Sequence, residues 1–159
     1  MSTRSLIATA LGVAAALVAG CGDPGPKLYP VTGTVRVDGK PAGDATIFLH
    51  RKGRDNPNEP VPYAHCGPDG TFVVTTRKEG DGAAPGEYVV TVVWPDMTKA
   101  PDGNGGRPDL LRGTYDKVAT SAIKVTVEAK PNQLAEIALH APPSGPAPKD
   151  APGAVKTDK

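Results

Sequence analysis

The chain has 159 residues, of which 38% are hydrophobic and 22% charged, and its formal net charge at pH 7 is +1. This length suits one domain and leaves little room for a second. The 18 Lys+Arg are balanced by 17 Asp+Glu and form no long basic run, so nucleic acid is excluded as an expected partner. With 19 Gly and 18 Pro, the composition is typical of a loop-rich β fold.

The amino-terminal residues have the pattern of a secretory signal peptide. An uncharged apolar run over residues 5–20 follows the positive residue Arg4. The run leads into Leu-Val-Ala-Gly-Cys at residues 17–21, which resembles the bacterial lipobox, where small residues precede the cysteine that receives diacylglycerol. The resemblance implies that residues 1–20 are removed as a lipoprotein signal peptide and that Cys21 carries the lipid.

Two alternatives remain for this segment, a plain signal peptide and an uncleaved membrane anchor. An anchor needs about 20 apolar residues, and this Ala- and Gly-rich run is short and weakly hydrophobic.

Several acyl chains on Cys21 would give stable attachment to a membrane, which makes the membrane the expected partner. Gly22 follows the cysteine, so the Asp signal that retains some lipoproteins at an inner membrane is absent. The expected location is the bacterial envelope, with the outer membrane favoured over the inner one.

The remaining residues divide into three predicted parts. Residues 21–27 form the lipidated cysteine and a short tether, and residues 28–140 form one domain. Residues 141–159 are rich in Pro and Ala and are predicted to be disordered, because they have too few large apolar residues to offset the entropy of ordering. After removal of the leader, Cys66 is the only thiol besides the lipidated one, so no intrachain disulfide is expected.

Alternation of apolar and polar residues predicts an all-β domain. Seven short strands separated by turn signals favour a single antiparallel β-sandwich. The predicted strands cover residues 31–37, 45–50, 61–66, 70–76, 86–94, 121–127 and 133–140. We expect a turn at Asp38-Gly39 to join the first two strands and a hairpin turn at residues 67–70 to join the next two. The strand 86–94 is the most apolar and is predicted to be central and covered on both faces.

Three motifs resemble those of carboxypeptidase regulatory-like domains. The first is the Gly-x-Val strand and Gly-x-Pro turn within residues 31–47, the second is the Asp-Gly-x-Phe turn at residues 69–72, and the third is the Pro-Gly-x-Tyr strand opening at Pro85. The resemblance implies a transthyretin-like (prealbumin-like) sandwich and supplies no catalytic residue. Cys66 and Gly67 stand where the family commonly has Thr-Asp.

No catalytic or metal-binding motif is present in the sequence. His65 and Cys66 are adjacent in a predicted strand, so their side chains point to opposite faces, and Cys66 is expected to be a small buried residue. His50 and His65 would make an incomplete transition-metal site if they met across strands. No metal, cofactor or catalytic residue is therefore predicted.

The loop at residues 95–109 is long for a compact domain, and it is either a functional loop or a mobile, solvated one. Asp102 and Asn104 have the spacing that opens a calcium loop, but Gly113 stands where such a loop needs a bidentate Glu. Trp94, at the base of the loop, is either a stacking platform for a sugar or a core residue. Trp94, Asp102 and Asn104 are the candidate ligand-binding residues.

These observations predict a membrane-anchored envelope lipoprotein that is not an enzyme and acts as a binding or structural module. One alternative is carbohydrate or cell-wall binding through the 95–109 loop and Trp94. Another is an accessory subunit of an envelope enzyme or transport complex that docks through an exposed strand edge. The expected partners beyond the membrane are accordingly a cell-wall glycan or an envelope protein.

Overall fold

The computed structural model describes residues 25–53 and 58–143. The predicted signal peptide, Cys21 and most of the predicted tail therefore lie outside the described residues. No helix that could cross a membrane occurs in the two described ranges. Within these ranges the chain forms β1 (Val31–Val37), β2 (Lys40–Pro41), β3 (Thr46–Arg51), β4 (Tyr63–His65), β5 (Thr71–Val73), β6 (Gly86–Val93), β7 (Lys124–Val127), β8 (Asn132–Gln133) and β9 (Ile137–Leu139).

The strands form two sheets, so the predicted all-β sandwich is confirmed. One sheet has the order β4-β3-β6-β7 and is antiparallel throughout. In the other sheet β1 pairs in antiparallel fashion with β2 and β5, and in parallel with β8 and β9. The parallel pairs differ from the purely antiparallel prediction. They arise because the chain passes through the opposite sheet between β1 and β8, which provides the long crossover that parallel strands require.

The turn at Asp38-Gly39 forms, but it joins different strands from those predicted. Both residues have positive φ, 49° and 76°, as a two-residue type I′ hairpin requires, and they connect β1 to β2. Ala42 and Ala45 are then fully buried where the chain leaves for the opposite sheet. The expected pairing of residues 31–37 with 45–50 is therefore wrong, since the small residues after Pro41 form a crossing between sheets.

The line where β4 meets β5 joins one edge of each sheet, and we call it the seam. The predicted turn between these strands forms, with the Gly70 N–H donating to the Gly67 carbonyl at 2.8 Å. However, β4 and β5 belong to different sheets. They are held together by reciprocal backbone hydrogen bonds between Tyr63 and Thr75, at 2.9 and 2.8 Å, and by the Gly67 N–H donating to the Thr71 carbonyl.

Two of the later predicted strands are shorter than expected. β7 begins at Lys124 instead of residue 121. The Ser121 hydroxyl donates to the Val90 carbonyl and so replaces the backbone N–H that would donate to this carbonyl in a regular sheet. The predicted strand 133–140 is divided into β8 and β9, and both parts pair with β1.

The strand β6 is central in its sheet, as predicted, and lies between β3 and β7. Tyr88, Val90 and Val92 face the core with at most 1% of their surface exposed. The buried Tyr88 hydroxyl donates to the Ala84 carbonyl at 2.7 Å, which satisfies its polar atom. On the opposite face Thr91 is also buried. Both faces of β6 are therefore covered at the centre of the strand.

The inner face of β1 depends on a glycine. Gly33 lies opposite Phe72 of β5, and the Phe72 ring is buried with only 3% of the residue exposed. A Cβ built on Gly33 would lie 2.5 Å from Cζ of Phe72, closer than any carbon contact allows. The absence of a side chain therefore makes room for the ring in the core.

We expect Gly33→Ala to destabilise the domain by about 1–3 kcal/mol, because the added methyl group overpacks the Phe72 site. Urea unfolding of the two proteins measures this difference. Gly103→Ala is the matched control, since its Cβ would meet no atom within 4 Å, and it should change stability by less than about 0.5 kcal/mol. Equal unfolding midpoints for Gly33→Ala and the wild type would contradict the packing described.

Candidate functional site

The loop at residues 95–109 closes on itself. Its ends meet where Pro95 bridges to Asp109 and where the Asp96 N–H donates to the Pro108 carbonyl at 2.8 Å. At the tip, Oδ1 of Asp102 accepts hydrogen bonds from the backbone N–H groups of Asn104 and Gly106, at 2.9 and 2.8 Å. The loop is therefore a set of local turns held by its own aspartates.

The three predicted ligand residues have separate structural settings. Asp102 and Asn104 are exposed, and the Asp102 carboxylate binds its own backbone. Trp94 is half-buried, packs against the core, and donates its indole N–H to the Gly43 carbonyl at 2.8 Å. This geometry favours the packing role for Trp94 over the sugar platform. Across the described ranges no group of three His, Cys, Asp or Glu side chains is placed to hold a metal ion.

Asp109 is the residue in this region whose importance the sequence analysis missed. Its Oδ1 accepts from the backbone N–H groups of Trp94, at 2.8 Å, and Leu111, at 3.0 Å, while its Oδ2 accepts from Gly113 at 2.8 Å. Leu111 is fully buried, so one carboxylate ties the end of β6 to an apolar anchor. The available signal was the residue type, because an aspartate side chain often accepts from the backbone N–H two residues later, as Asp109 does from Leu111.

The two histidines on the outer face of the antiparallel sheet do not meet. His65 lies opposite Thr46 on β3, and His50 is four residues farther along that strand, a distance of about 13 Å. The His65 Nδ1 is 3.0 Å from the Thr46 hydroxyl, and the His50 Nε2 is 2.9 Å from the Thr91 hydroxyl. Each imidazole is therefore used in a local hydrogen bond, and the pair does not form the two-histidine site considered above.

Cys66 faces the core, opposite to the exposed His65. Only 5% of the residue is exposed, and burial, together with the nearby negative charge of Asp69, raises the pKa of the thiol to about 11. Because the thiolate is the reactive form, this side chain is a packing residue at neutral pH.

A groove crosses the outer surface at the seam and has a volume of about 940 Å³. The outward side chains of β1, β5 and β4 contribute most of its lining, and β8 and the segment after β5 complete it. The residues that line it are Thr32, Gly33, Thr34, Tyr63, Ala64, His65, Thr71, Phe72, Val73, Thr75, Arg77, Glu79, Gly80, Gln133 and Leu134, of which Ala64 and Phe72 are buried. We refer to this surface as the seam groove.

The seam groove presents polar groups that the fold does not use. Among the described residues, the side chains of Thr34, Tyr63 and Gln133 have no hydrogen-bond partner. By contrast, the Thr71 hydroxyl donates to Asp69 at 2.7 Å and the Thr75 hydroxyl accepts from the Gly80 N–H at 3.0 Å. The groove therefore combines ordered hydroxyls with free donors and acceptors, as binding sites do.

An aromatic ring stands at one side of the seam groove. Tyr63 has 37% of its surface exposed. Its ring lies beside those of Phe48 and His65, with ring centroids 6.5 and 5.6 Å away, the latter in an edge-on arrangement. Val73, across the seam, is 51% exposed. A supported ring and an exposed apolar side chain give the groove an amphipathic surface.

A smaller cavity of about 160 Å³ lies beside the amino-terminal end of the domain. Leu28, Leu49 and Tyr88 line it, together with Arg51 and Glu59, whose charged atoms are 3.7 Å apart. The cavity is about one sixth the size of the seam groove. The seam groove is therefore the better candidate site.

Comparison with known proteins finds no matching family model and no matching curated protein. Among solved structures, a 9R-lipoxygenase from Cyanothece PCC8801 is 13% identical with a TM-score of 0.43, covering 77% of this chain and 18% of that one. A DUF3823 family protein from Parabacteroides merdae ATCC 43184 is 15% identical with a TM-score of 0.37, covering 74% of this chain and 47% of that one.

The chain spans less than half the length of either of these proteins. At such identities and TM-scores, the likeness carries no argument about function. An enzyme is among the similar structures, which contradicts the expectation that the chain is not an enzyme. We withdraw that expectation, and the likeness assigns no activity to this chain.

We expect Asp109→Ala to destabilise the domain by about 1–3 kcal/mol, because it leaves backbone N–H groups, including that of buried Leu111, without an acceptor. Urea unfolding followed by tryptophan fluorescence measures the effect, since Trp94 is the only tryptophan of the chain. Asn104→Ala, at an exposed side chain of the same loop, is the control and should leave the midpoint unchanged. If both variants unfold like the wild type, Asp109 does not hold the loop.

Proposed function

We propose that the chain is an envelope lipoprotein, anchored through acyl chains on Cys21, whose β-sandwich is a binding module at the membrane surface. The seam groove is the single observation that carries the binding role. It is open, it spans strands from both sheets, and it holds side chains whose polar atoms have no partner within the described part of the chain.

The proposed anchor is supported by the sequence around Cys21 and by where the fold begins. Tyr29 exchanges backbone hydrogen bonds with Ala83, at 2.9 and 3.0 Å, so ordered pairing starts eight residues after Cys21. Eight residues span at most about 30 Å. A lipid on Cys21 would therefore keep the domain close to the bilayer. Gly22, directly after the cysteine, favours the outer membrane over the inner one.

Membership of the carboxypeptidase regulatory-like domains is part of the proposal. The Gly-x-Val motif lies in β1, the Gly-x-Pro motif forms the β1–β2 turn, and the Pro-Gly-x-Tyr motif opens β6. In the Asp-Gly-x-Phe turn, Asp69 accepts from the Thr71 hydroxyl and N–H, and these bonds lower the pKa of its carboxyl group. The motifs therefore lie in a strand, at two turns and at a strand start, and their residue types are common at such positions.

Two other binding surfaces have less support from the geometry. The carboxylate of Asp102 is bonded within the 95–109 loop, and the Trp94 indole N–H is already bonded. The strand β7 is the last of its sheet and offers an edge for a partner subunit, but it is four residues long and carries exposed Lys124, a residue type that discourages strand addition.

For the anchor, we expect the wild-type full chain to carry acyl chains on Cys21, and Cys21→Ser to lose them. Mass spectrometry of the amino-terminal peptide and partitioning between detergent and aqueous phases measure this, since each buried methylene adds about 0.8 kcal/mol to membrane attachment. Cys66→Ala is the matched control and should keep the lipid. An unmodified Cys21 in wild-type membranes would refute the lipoprotein assignment.

For the binding role, we expect the detergent-solubilised full chain to sediment with insoluble envelope material, and Val73→Lys to lose this property. The substitution places a long charged side chain in the seam groove at a position that is 51% exposed, so it should leave the fold intact. Met97→Lys changes a comparably exposed residue, at 55%, in the 95–109 loop and should behave like the wild type. Equal sedimentation of Val73→Lys and wild type would show that the groove is not the binding surface.

A further inference from the structure

We infer that the ligand of the seam groove is a neutral glycan. This inference rests on the proposed function, because it names the ligand class of the surface proposed there as the binding site. A neutral glycan fits the charge of the lining, its hydroxyl and amide groups, its exposed ring, and the backbone pairing at the seam.

The lining of the seam groove favours an uncharged ligand. Arg77 and Glu79 are the charged residues among the lining set, and their opposite charges cancel. Arg77 is also engaged elsewhere, since its Nη2 donates to the Pro26 carbonyl at 3.0 Å. A polyanion such as a phosphorylated polymer would need several cations to replace its hydration, and this surface does not supply them.

The polar groups of the groove match a ligand that is rich in hydroxyls. The Thr34 and Tyr63 hydroxyls each donate and accept, and the Gln133 amide offers both functions on separate atoms. These three side chains have no hydrogen-bond partner in the described ranges. Because sugar hydroxyls also donate and accept, each can pair with such groups without leaving a polar atom unsatisfied.

Tyr63 provides the apolar contact that a sugar ring requires. Phe48 and His65 contact its ring, which already restricts part of the side-chain freedom that binding would otherwise remove. The apolar C–H face of a pyranose ring can cover the tyrosine while the hydroxyls at its rim reach the threonines. Val73 extends the apolar contact on the other side of the seam.

A peptide added as an extra strand does not fit this site. The backbone groups of Tyr63 and Thr75 are bonded to each other across the seam, and the Thr71 carbonyl accepts from Gly67. The edges of β4 and β5 that face the groove are therefore already used at both ends of the seam. Strand addition needs a free row of backbone donors and acceptors.

The test is isothermal calorimetry of the full chain in detergent micelles with neutral hexasaccharides of glucose, mannose and N-acetylglucosamine. We expect saturable binding of at least one of them. Tyr63→Ala should weaken that binding at least about tenfold, whereas Tyr63→Phe should keep most of it because the ring remains. Thr34→Val, which removes a hydroxyl at nearly constant volume, should weaken binding by about threefold or more, and Met97→Ala should have no effect.

The outcomes separate this inference from the proposed function. If Val73→Lys abolishes sedimentation with envelope material but no neutral hexasaccharide binds, the glycan inference is wrong and the binding role of the groove stands. Binding of polygalacturonate in place of the neutral sugars overturns the inference in the same way. If a neutral sugar binds Tyr63→Ala and Thr34→Val as tightly as wild type, the glycan site lies elsewhere and the inference is also wrong.

Discussion

One sheet of the sandwich depends on β1 alone. The strand pairs with β2 and β5 along one edge and with β8 and β9 along the other, so each partner in that sheet is hydrogen-bonded to it. Its inward side chains at residues 31, 35 and 37 are almost completely buried, while Thr32 and Thr34 face the seam groove. The same seven residues therefore hold one sheet, contribute to the core and supply part of the candidate site.

Most strands could be predicted because the domain has a strong alternation of apolar and polar residues. β1 occupies exactly the predicted range from Val31 to Val37, and β6 has the central place that its valines indicated. Pairing was harder to predict, because alternation gives the face of each residue but not its partner strand. β1 pairs with β9, which lies about 100 residues later in the chain. This arrangement requires the chain to cross between the sheets at Ala42–Ala45, and in the sequence the small residues of that crossing look like those of an ordinary loop.

The candidate site was less accessible to sequence reasoning than the fold. The long loop attracted attention because of its length, yet the carboxylate of Asp102 at its tip binds the loop's own backbone. The seam groove consists of residues from several strands that are individually ordinary, such as Thr34, Tyr63 and Gln133. Their convergence is a product of tertiary pairing. Asp109 was also missed, because the backbone N–H groups that its carboxylate binds belong to Trp94 on one side and to Leu111 and Gly113 on the other, and the fold brings them together.

The seam also has a consequence for self-association. Since β4 and β5 are bonded to each other at the Tyr63–Thr75 bridge, the edges of these two strands are not free there to recruit a strand from another copy. Growth of a sheet into an aggregate would have to start from another edge of the sandwich. If the chain is held on a membrane as proposed, copies would meet often in two dimensions, and pairing β4 with β5 leaves fewer strand edges exposed to such encounters.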